Sequence, residues 1–491
     1  MPTTSVSVSP APLRHPPQHL NPAIQGDPPR VIPIQPVIEP ARRIQPRATQ
    51  GRLTRWRWAM VLLTQAFFLG VPWLQIDGRQ ALLFHLERQR FDVFGLVLWP
   101  QDLIYLTGVL VASALALFLA TALAGRVWCG FSCPQTVYTE IFLWIEHRFE
   151  GDRSARLRLD AAPWTADKIL RRGGRHLAWI VFSLLTGFTF VGYFTPMREL
   201  AASVPAGSTG PWEIFWVLFY GLATWGNAGW LREKVCLHMC PYARFQGSLM
   251  DPRTRVVSYD APRGEPRQPG KAGKEKTPGA GDCIDCTMCV QVCPVGIDIR
   301  EGMQYECIGC GVCIDACDRV MERLQRPTGL IRFAARDGVL AGGLAGLRGL
   351  LGRTRVAVYA GLLALTLVAM AWGLSVRAPL GFDVLRDRGV MARPVEDGAV
   401  ENVYRLRLRN NTGQPLDGQI AVRTDDGLAL GVEPARIPPL PQAGTADMAL
   451  SVRLPAEAAL ERAGRTLPIA LIVTTPTGER VSERSTFIVP R

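Results

Sequence analysis

The sequence predicts a multi-domain membrane protein in three structural parts: an α-helical transmembrane bundle of five spans, a cysteine-rich α+β domain inserted before the last span, and a C-terminal all-β sandwich. Three observations lead there. Of 491 residues, 48% are hydrophobic and the mean hydropathy is positive, which excludes a single ordinary soluble globule. All twelve cysteines fall between positions 129 and 317. Beyond about 395 the chain turns to short alternating segments, such as "NVYRLRLRN" and "GQIAVRT", separated by "NNTG", "DDG" and "PTGE"; that is the pattern of half-buried strands joined by tight turns.

Taken in order, residues 1–55 hold twelve prolines and no apolar h-region, so they are expected to form a disordered cytoplasmic tail and not a secretory signal. A four-helix membrane domain follows at 56–260. Its candidate spans, near 56–76, 101–124, 176–195 and 212–231, and a fifth near 356–376, each approach the roughly 20 apolar residues that cross a bilayer. Trp56, Trp58, Trp73, Trp99, Trp179, Tyr193, Trp212 and Trp230 stand near their ends, as an interfacial aromatic belt would. Lys and Arg number nine in 125–175, three in 77–100 and one in 196–211, which puts the first of these loops inside. The N-terminus and the segment 232–355 are then cytoplasmic and everything after 376 is outside. The net charge of +13 sits largely in the tail and inner loops, so no nucleic-acid partner is expected.

Segment 261–281 is rich in Pro, Gly and Lys and is expected to be a mobile linker. Residues 282–335 contain "CIDCTMCVQVCP" and "CIGCGVCIDACD", each the C-x2-C-x2-C-x3-C run of a bacterial-type ferredoxin. The closely spaced thiols of one run wrap one iron–sulfur cube, and its fourth cysteine crosses to the other. The expected ligand sets are therefore Cys283, Cys286, Cys289 with Cys317, and Cys307, Cys310, Cys313 with Cys293, holding two [4Fe–4S] clusters. Zinc is the rival, but its sites use paired ligands separated by a longer loop. Asp318 stands where the second run would carry a proline. A connector and the fifth helix occupy 336–376, and the sandwich 377–491.

The first four spans read as one unit used twice: a helix pair then "CGFSCP", a helix pair then "CLHMCP". A proline behind Cys133 and Cys240 suits the first turn of a helix, so both cysteines are expected to be N-caps. Helix N-termini, with Arg126, Arg232 and Lys234 nearby, would favour thiolates. His238 and Met239 add imidazole and thioether, which copper accepts. Cys129, Cys133, Cys236 and Cys240 are read as one site at the cytoplasmic membrane face that takes electrons from the clusters. A dithiol couple and buried structural thiols are the other readings of the same four residues.

The order of helix pair, "CGFSCPQTVYTE", helix pair, "CLHMCPYARFQGSLMD", "GDCIDCTMCVQVCPVGIDIR", "YECIGCGVCIDACD", "GLIRF", a further helix and a β-domain resembles the FixG/CcoG cytochrome oxidase accessory proteins from about residue 50 onward. The resemblance implies a bacterial inner-membrane iron–sulfur protein with a periplasmic Ig-like domain. Such a protein assists assembly of cbb(3)-type cytochrome c oxidase and reduces Cu(II) to Cu(I) for its copper centre. By the same resemblance Cys129, Cys133, Cys236 and Cys240 handle copper or release the electron, and the partners are oxidase subunits, copper-delivery proteins and an unidentified electron donor. Ferredoxin clusters near about −400 mV can deliver an electron to Cu(II), and soft ligands hold Cu(I). The alternatives are a quinol-linked electron-transfer subunit and a redox-sensing assembly scaffold.

Overall fold

The computed structural model describes residues 44–269, 278–335, 352–386, 392–395 and 398–491. Residues 1–43 of the expected tail, the middle of the expected linker and most of the connector lie outside the described residues; the end of the expected tail is ordered, with Arg47 N–H donating to Gln291 O at 2.8 Å and Ala48 N–H to Asp152 at 3.0 Å ahead of a helix that begins at Arg52. The helices of the first half are α1 (Arg52–Gly70), α2 (Leu103–Ala124), α3 (Val127–Phe131), α4 (Pro134–Glu150), α5 (Arg153–Ala161), α6 (Ala166–Val191), α7 (Met197–Ala206), α8 (Pro211–Thr224) and α9 (Pro241–Leu249).

Among the described residues three helices are long and apolar enough to cross a membrane: Pro100–Ala124, which contains α2, then α6, and Thr354–Ser375. Only 6% of the most apolar window of the first and third is buried. Leu106, Leu110, Leu365 and Val368 all lie exposed, a surface that suits lipid and not water. Small residues let the helices approach: a Cβ on Gly108 would stand 2.7 Å from Met370 Sδ, and one on Gly187 would strike the Val217 carbonyl of α8.

The other two expected spans are not among the helices long and apolar enough to cross. α1 ends at Gly70, and the chain continues through a 3-10 turn carrying Pro72, a residue that cannot supply the next helical N–H. α8 has 14 α-helical residues and then widens into a π-helical segment, Trp225–Leu231. α6, in contrast, starts at Ala166 and caps on Thr165, upstream of the expected 176, because its charged first turns extend the helix beyond the apolar stretch.

The loop after α1 folds into two small sheets: β1 (Gln75–Ile76) with β2 (Arg79–Gln80), and β3 (Leu82–His85), β4 (Arg90–Val93) and β5 (Leu96–Leu98). Asp92 is buried and pairs with Arg79 at 2.6 Å and Arg90 at 3.1 Å. Val97 and Trp99 pack on Ala443 of the C-terminal domain.

The cysteine runs sit in a small lobe. β6 (Val256–Tyr259) pairs antiparallel with β7 (Ile331–Ala334), and between them lie α10 (Ala261–Gly264), α11 (Met288–Gln291) and α12 (Val312–Arg323). The lobe thus begins upstream of the expected 282. The flanks of the expected linker are hydrogen-bonded into it, with Gln268 N–H donating to Cys283 O and Cys283 N–H to Gly264 O, both 3.3 Å. Asp318 has a structural reason: α12 runs unbroken across it, where proline would remove a helical hydrogen bond. Its carboxylate accepts from Gly329 N–H at 2.7 Å.

Asp315, between Cys313 and Cys317, bolts this lobe to α1. Its carboxylate accepts from Leu53 N–H at 3.1 Å, Thr54 N–H at 2.6 Å and Thr54 Oγ1 at 2.7 Å. These are orphan donors of the first helical turn, so a distant residue performs the capping that Gly51 cannot. Gly51 must stay small, since a Cβ there would overlap the Asp315 side chain. Asp315→Ala is expected to cost about 1 kcal/mol, as the loss of an N-cap does, read as a lower thermal midpoint in detergent with Asp315→Asn retaining most of it.

After the last long helix, α13 (Thr354–Ser375), the chain forms β8 (Leu380–Arg386), β9 (Arg393–Pro394), β10 (Val400–Asn410), β11 (Leu416–Thr424), β12 (Ala429–Glu433), β13 (Arg436–Leu440), β14 (Thr445–Leu454), a short α14 (Ala456–Glu461), β15 (Thr466–Thr474) and β16 (Arg480–Ile488). β8, β10 and β14 make one half and β16, β15 and β11 the other, with β12 pairing to both β11 and β14. Along β10, Tyr404, Leu406 and Leu408 are buried while Arg405 and Arg407 are exposed, the expected alternation. The inward residues meet Val422, Leu450, Leu471 and Phe487 in one core.

Candidate redox centre

Cys133 and Cys240 are the N-caps of α4 and α9, with Pro134 and Pro241 in the first helical position. Cys129 lies in α3 and Cys236 in a π-helical turn, Val235–Met239. All four are half-buried free thiols.

Side chains of each element grip the other. Gln135 Nε2 donates to Asn227 O at 2.9 Å and Arg232 O at 3.1 Å, just upstream of Cys236. From the second element, fully buried Gln246 accepts the Cys129 thiol at 3.4 Å. Its amide donates to Tyr242 Oη at 3.0 Å and Thr121 Oγ1 at 3.3 Å. The charges of Cys133, Cys236 and Cys240 all reach Cys129. The structure therefore brings the four cysteines together, whereas His238 and Met239 lie exposed. Among the described residues no group of three or more His, Cys, Asp or Glu closes on a single ion.

Burial works against the thiolates expected at this site. Burial pushes the Cys129 thiol up to about 12 and Cys236 up to about 11. Cys133 is raised by burial as well, although the N–H groups of Gln135 and Thr136 pull it down. Desolvation of a half-buried anion outweighs the helix terminus. Two of the cations expected to help are directed elsewhere: Lys234 is exposed, and Arg232 is held by Glu146. A bound metal would supply the charge that makes these thiols anionic.

Arg232 belongs to a buried network that the sequence reading missed. Glu146 pairs with Arg232, with Arg156 at 2.9 Å and with Arg175 at 3.8 Å, and Glu150 pairs with Arg175 at 2.7 Å. Arg232 has φ 44°, a left-handed conformation uncommon outside glycine. It separates the two π-helical segments, and its Nε also donates to Gly229 O at 3.1 Å. The ion pair pins a strained residue directly before the second C-x3-C, a device π-bulges often accompany at functional sites. The one available signal was a carboxylate inside the apolar run "IFLWIEHRF".

In the lobe, Cys317 packs with Cys283, Met321 and Leu330. Burial raises it to about 12, and the thiols that add to this are Cys289, Cys286 and Cys283 of the other run. Cys293 packs with Cys310 and Cys313; burial, then Cys310, raise it to about 12. Each fourth cysteine thus sits with the opposite run. Cys289, Cys293, Cys307, Cys310 and Cys313 line an enclosed cavity. The donor set suits iron–sulfur cubes.

The two centres touch. A Cβ on Gly130, next to Cys129, would stand 2.8 Å from Cys310 Cα and N and 2.9 Å from Ile308 O. Cys129 itself packs against the core formed by Val292, Ile308 and Cys310.

Comparison with known proteins decides the family. Residues 231–336 match a 4Fe-4S dicluster domain, 106–150 a 4Fe-4S binding domain and 370–490 the Ig-like fold at the C-terminus of FixG. Nitrogen fixation protein FixG of Rhizobium meliloti is 37% identical, covering 82% of this chain and 86% of its own length. The chain belongs to the FixG family. Protein RdxA of Cereibacter sphaeroides is 39% identical over 81% of this chain and 86% of its own. The ferredoxin-type protein MauN of Methylorubrum extorquens is 25% identical over 52% of this chain and 80% of its own. This FixG-family chain is therefore a ferredoxin-type iron–sulfur protein with a C-terminal Ig-like domain, and its described residues include three helices of membrane-crossing length.

Proposed function

We propose that this FixG-family protein is an iron–sulfur cupric reductase that serves assembly of a cbb(3)-type cytochrome c oxidase. It lies in the bacterial inner membrane with five spans, α1 and α8 being the short ones. The N-terminus and cysteine lobe are cytoplasmic and the Ig-like domain is periplasmic, available to oxidase subunits and copper-delivery proteins. Cys283, Cys286, Cys289 and Cys317 hold one [4Fe–4S] cluster and Cys307, Cys310, Cys313 and Cys293 the other. When bound, these clusters supply single electrons at low potential. Cys129, Cys133, Cys236 and Cys240 take up Cu(II) and release Cu(I), one electron leaving the lobe for each copper reduced.

The observation that carries this reading is the approach of Gly130 to the Cys310 backbone, which sets the C-x3-C thiols directly against the second run. In the test, anaerobically reduced protein is mixed with Cu(II) and a chelator that traps Cu(I). Wild type is expected to form Cu(I) catalytically, and Cys129→Ala/Cys236→Ala to lose at least tenfold with its iron intact. A variant that keeps the wild-type rate would make copper reduction incidental and return weight to the quinol or scaffold readings. For the ligand sets, Cys293→Ser is expected to abolish the spectroscopic signal of one cluster and spare the other; loss of the same signal in Cys286→Ser would contradict the crossing.

A second reading of the four thiols rests on the iron–sulfur domain match over 106–150, a stretch containing only Cys129 and Cys133. With Cys236 and Cys240 they would complete a third cluster that relays the electron. Iron analysis separates the two: about eight irons per chain for two cubes, about twelve for three.

A further inference from the structure

We propose that Arg126 is a positioning residue that raises the reduction potential of the cluster on the second cysteine run and so holds the electron beside the C-x3-C thiols. The guanidinium is buried, 5% exposed, at the seam between the two centres. It lies over the Tyr305 ring at 4.8 Å, and its Nη2 donates to Ala243 O on α9. Its backbone carbon stands 3.2 Å from where a Cβ on Gly309 would be, and it lines the same cavity as Cys307 and Gly309.

No carboxylate pairs with it among the described residues. The contrast is Arg57, also against this run beside Val292, Pro294 and Val312, whose charge is offset by Glu140 at 2.8 Å. Arg126 therefore contributes a positive charge without a carboxylate partner from a largely buried position, where electrostatic interactions are stronger than in bulk water. Its charge reaches Cys129, Cys236 and Cys307, opposing in each the upward push of burial.

Reduction adds one negative charge to a cluster already held by four thiolates, and net charge is among the factors that set cluster potential. A fixed cation at this distance stabilises the reduced form. Beside the first run Arg300 is neutralised by Asp298 at 2.6 Å and by Asp285, and Arg326, which donates to Asp282 O at 2.7 Å, is half-buried where Arg126 is buried. With clusters bound, an electron reaching the first run, whose Cys286 is exposed, would be favoured to pass to the centre held by the second run, next to Cys129, the first being oxidised by one electron as the second is reduced by one.

The inference rests on the proposed placement of a cluster on Cys307, Cys310, Cys313 and Cys293, but not on copper. The test is redox titration of the full-length protein followed by electron paramagnetic resonance, the second-run signal being assigned by its loss in Cys310→Ser. Arg126→Gln is expected to move that signal to lower potential and leave the other in place, and Arg126→Lys to recover most of the shift. Arg126→Lys keeps the charge, so it serves as the second variant and is expected to hold the signal near its wild-type potential even where Arg126→Gln fails to assemble. Both signals unmoved, or both moving together, would overturn the role of Arg126. A wild type without two separately titrating signals would instead overturn the cluster placement.

Discussion

Replacing Gly130 by valine is expected to slow reoxidation of the reduced clusters by Cu(II) at least tenfold with iron content unchanged, and replacement by alanine to slow it several-fold. The atoms a Cβ would meet, Cys310 Cα and N at 2.8 Å and Ile308 O at 2.9 Å, are all backbone. They cannot swing aside as a flexible side chain would, so the lobe must lift away from α3. The eight cysteines of the lobe keep their own framework of β6, β7 and α12, and Asp315 still anchors that framework to α1. Stopped-flow absorbance at the cluster bands measures the rate. Wild-type kinetics in Gly130→Val would show that electrons leave the lobe by another face.

The second large effect concerns Glu146. Its removal leaves Arg232 and Arg156, both under 5% exposed, without their carboxylate partner. Breaking a buried ion pair from one side typically costs about 3–5 kcal/mol, because the remaining charge stays desolvated. Glu146→Gln is therefore expected to lower the thermal midpoint sharply, and Glu146→Asp less. At temperatures where Glu146→Gln is still folded, Cu(I) formation is expected to fall while the two clusters persist, since Arg232 at φ 44° loses the contact that fixes the turn before Cys236. An unchanged midpoint would mean that the arginines find solvent, contrary to their burial here.

These effects divide along the line between local and long-range information. The ferredoxin character was legible because each run closes three cysteines into a seven-residue stretch, a spacing that by itself identifies iron–sulfur chemistry, as the dicluster-domain match over 231–336 bears out. The caps at Cys133 and Cys240 were legible for a similar reason: a proline one residue later fixes the backbone locally. The strands of the C-terminal domain follow from alternation, as β10 illustrates with Tyr404, Leu406 and Leu408 inward. The burial that opposes a thiolate at Cys129, Cys133 and Cys236 was not legible, because helix termini and neighbouring arginines can be counted along the chain whereas desolvation depends on what packs over each thiol. The lengths of α1 and α8 were also overestimated, since continuous apolar sequence does not register a 3-10 turn at Pro72 or a π-helical segment at Trp225.

The sequence by itself determined the iron–sulfur chemistry, the C-terminal β-domain and the membrane-directed apolar helices, all written in periodicities and spacings shorter than about twenty residues. Only the tertiary structure decided that Gly130 meets Cys310, that Gln246 takes the Cys129 thiol, that Asp315 caps α1 and that Arg126 stands buried between the two centres. Each of these joins positions more than one hundred residues apart, and their energies come from desolvation and close approach, which exist only once the chain has folded back on itself.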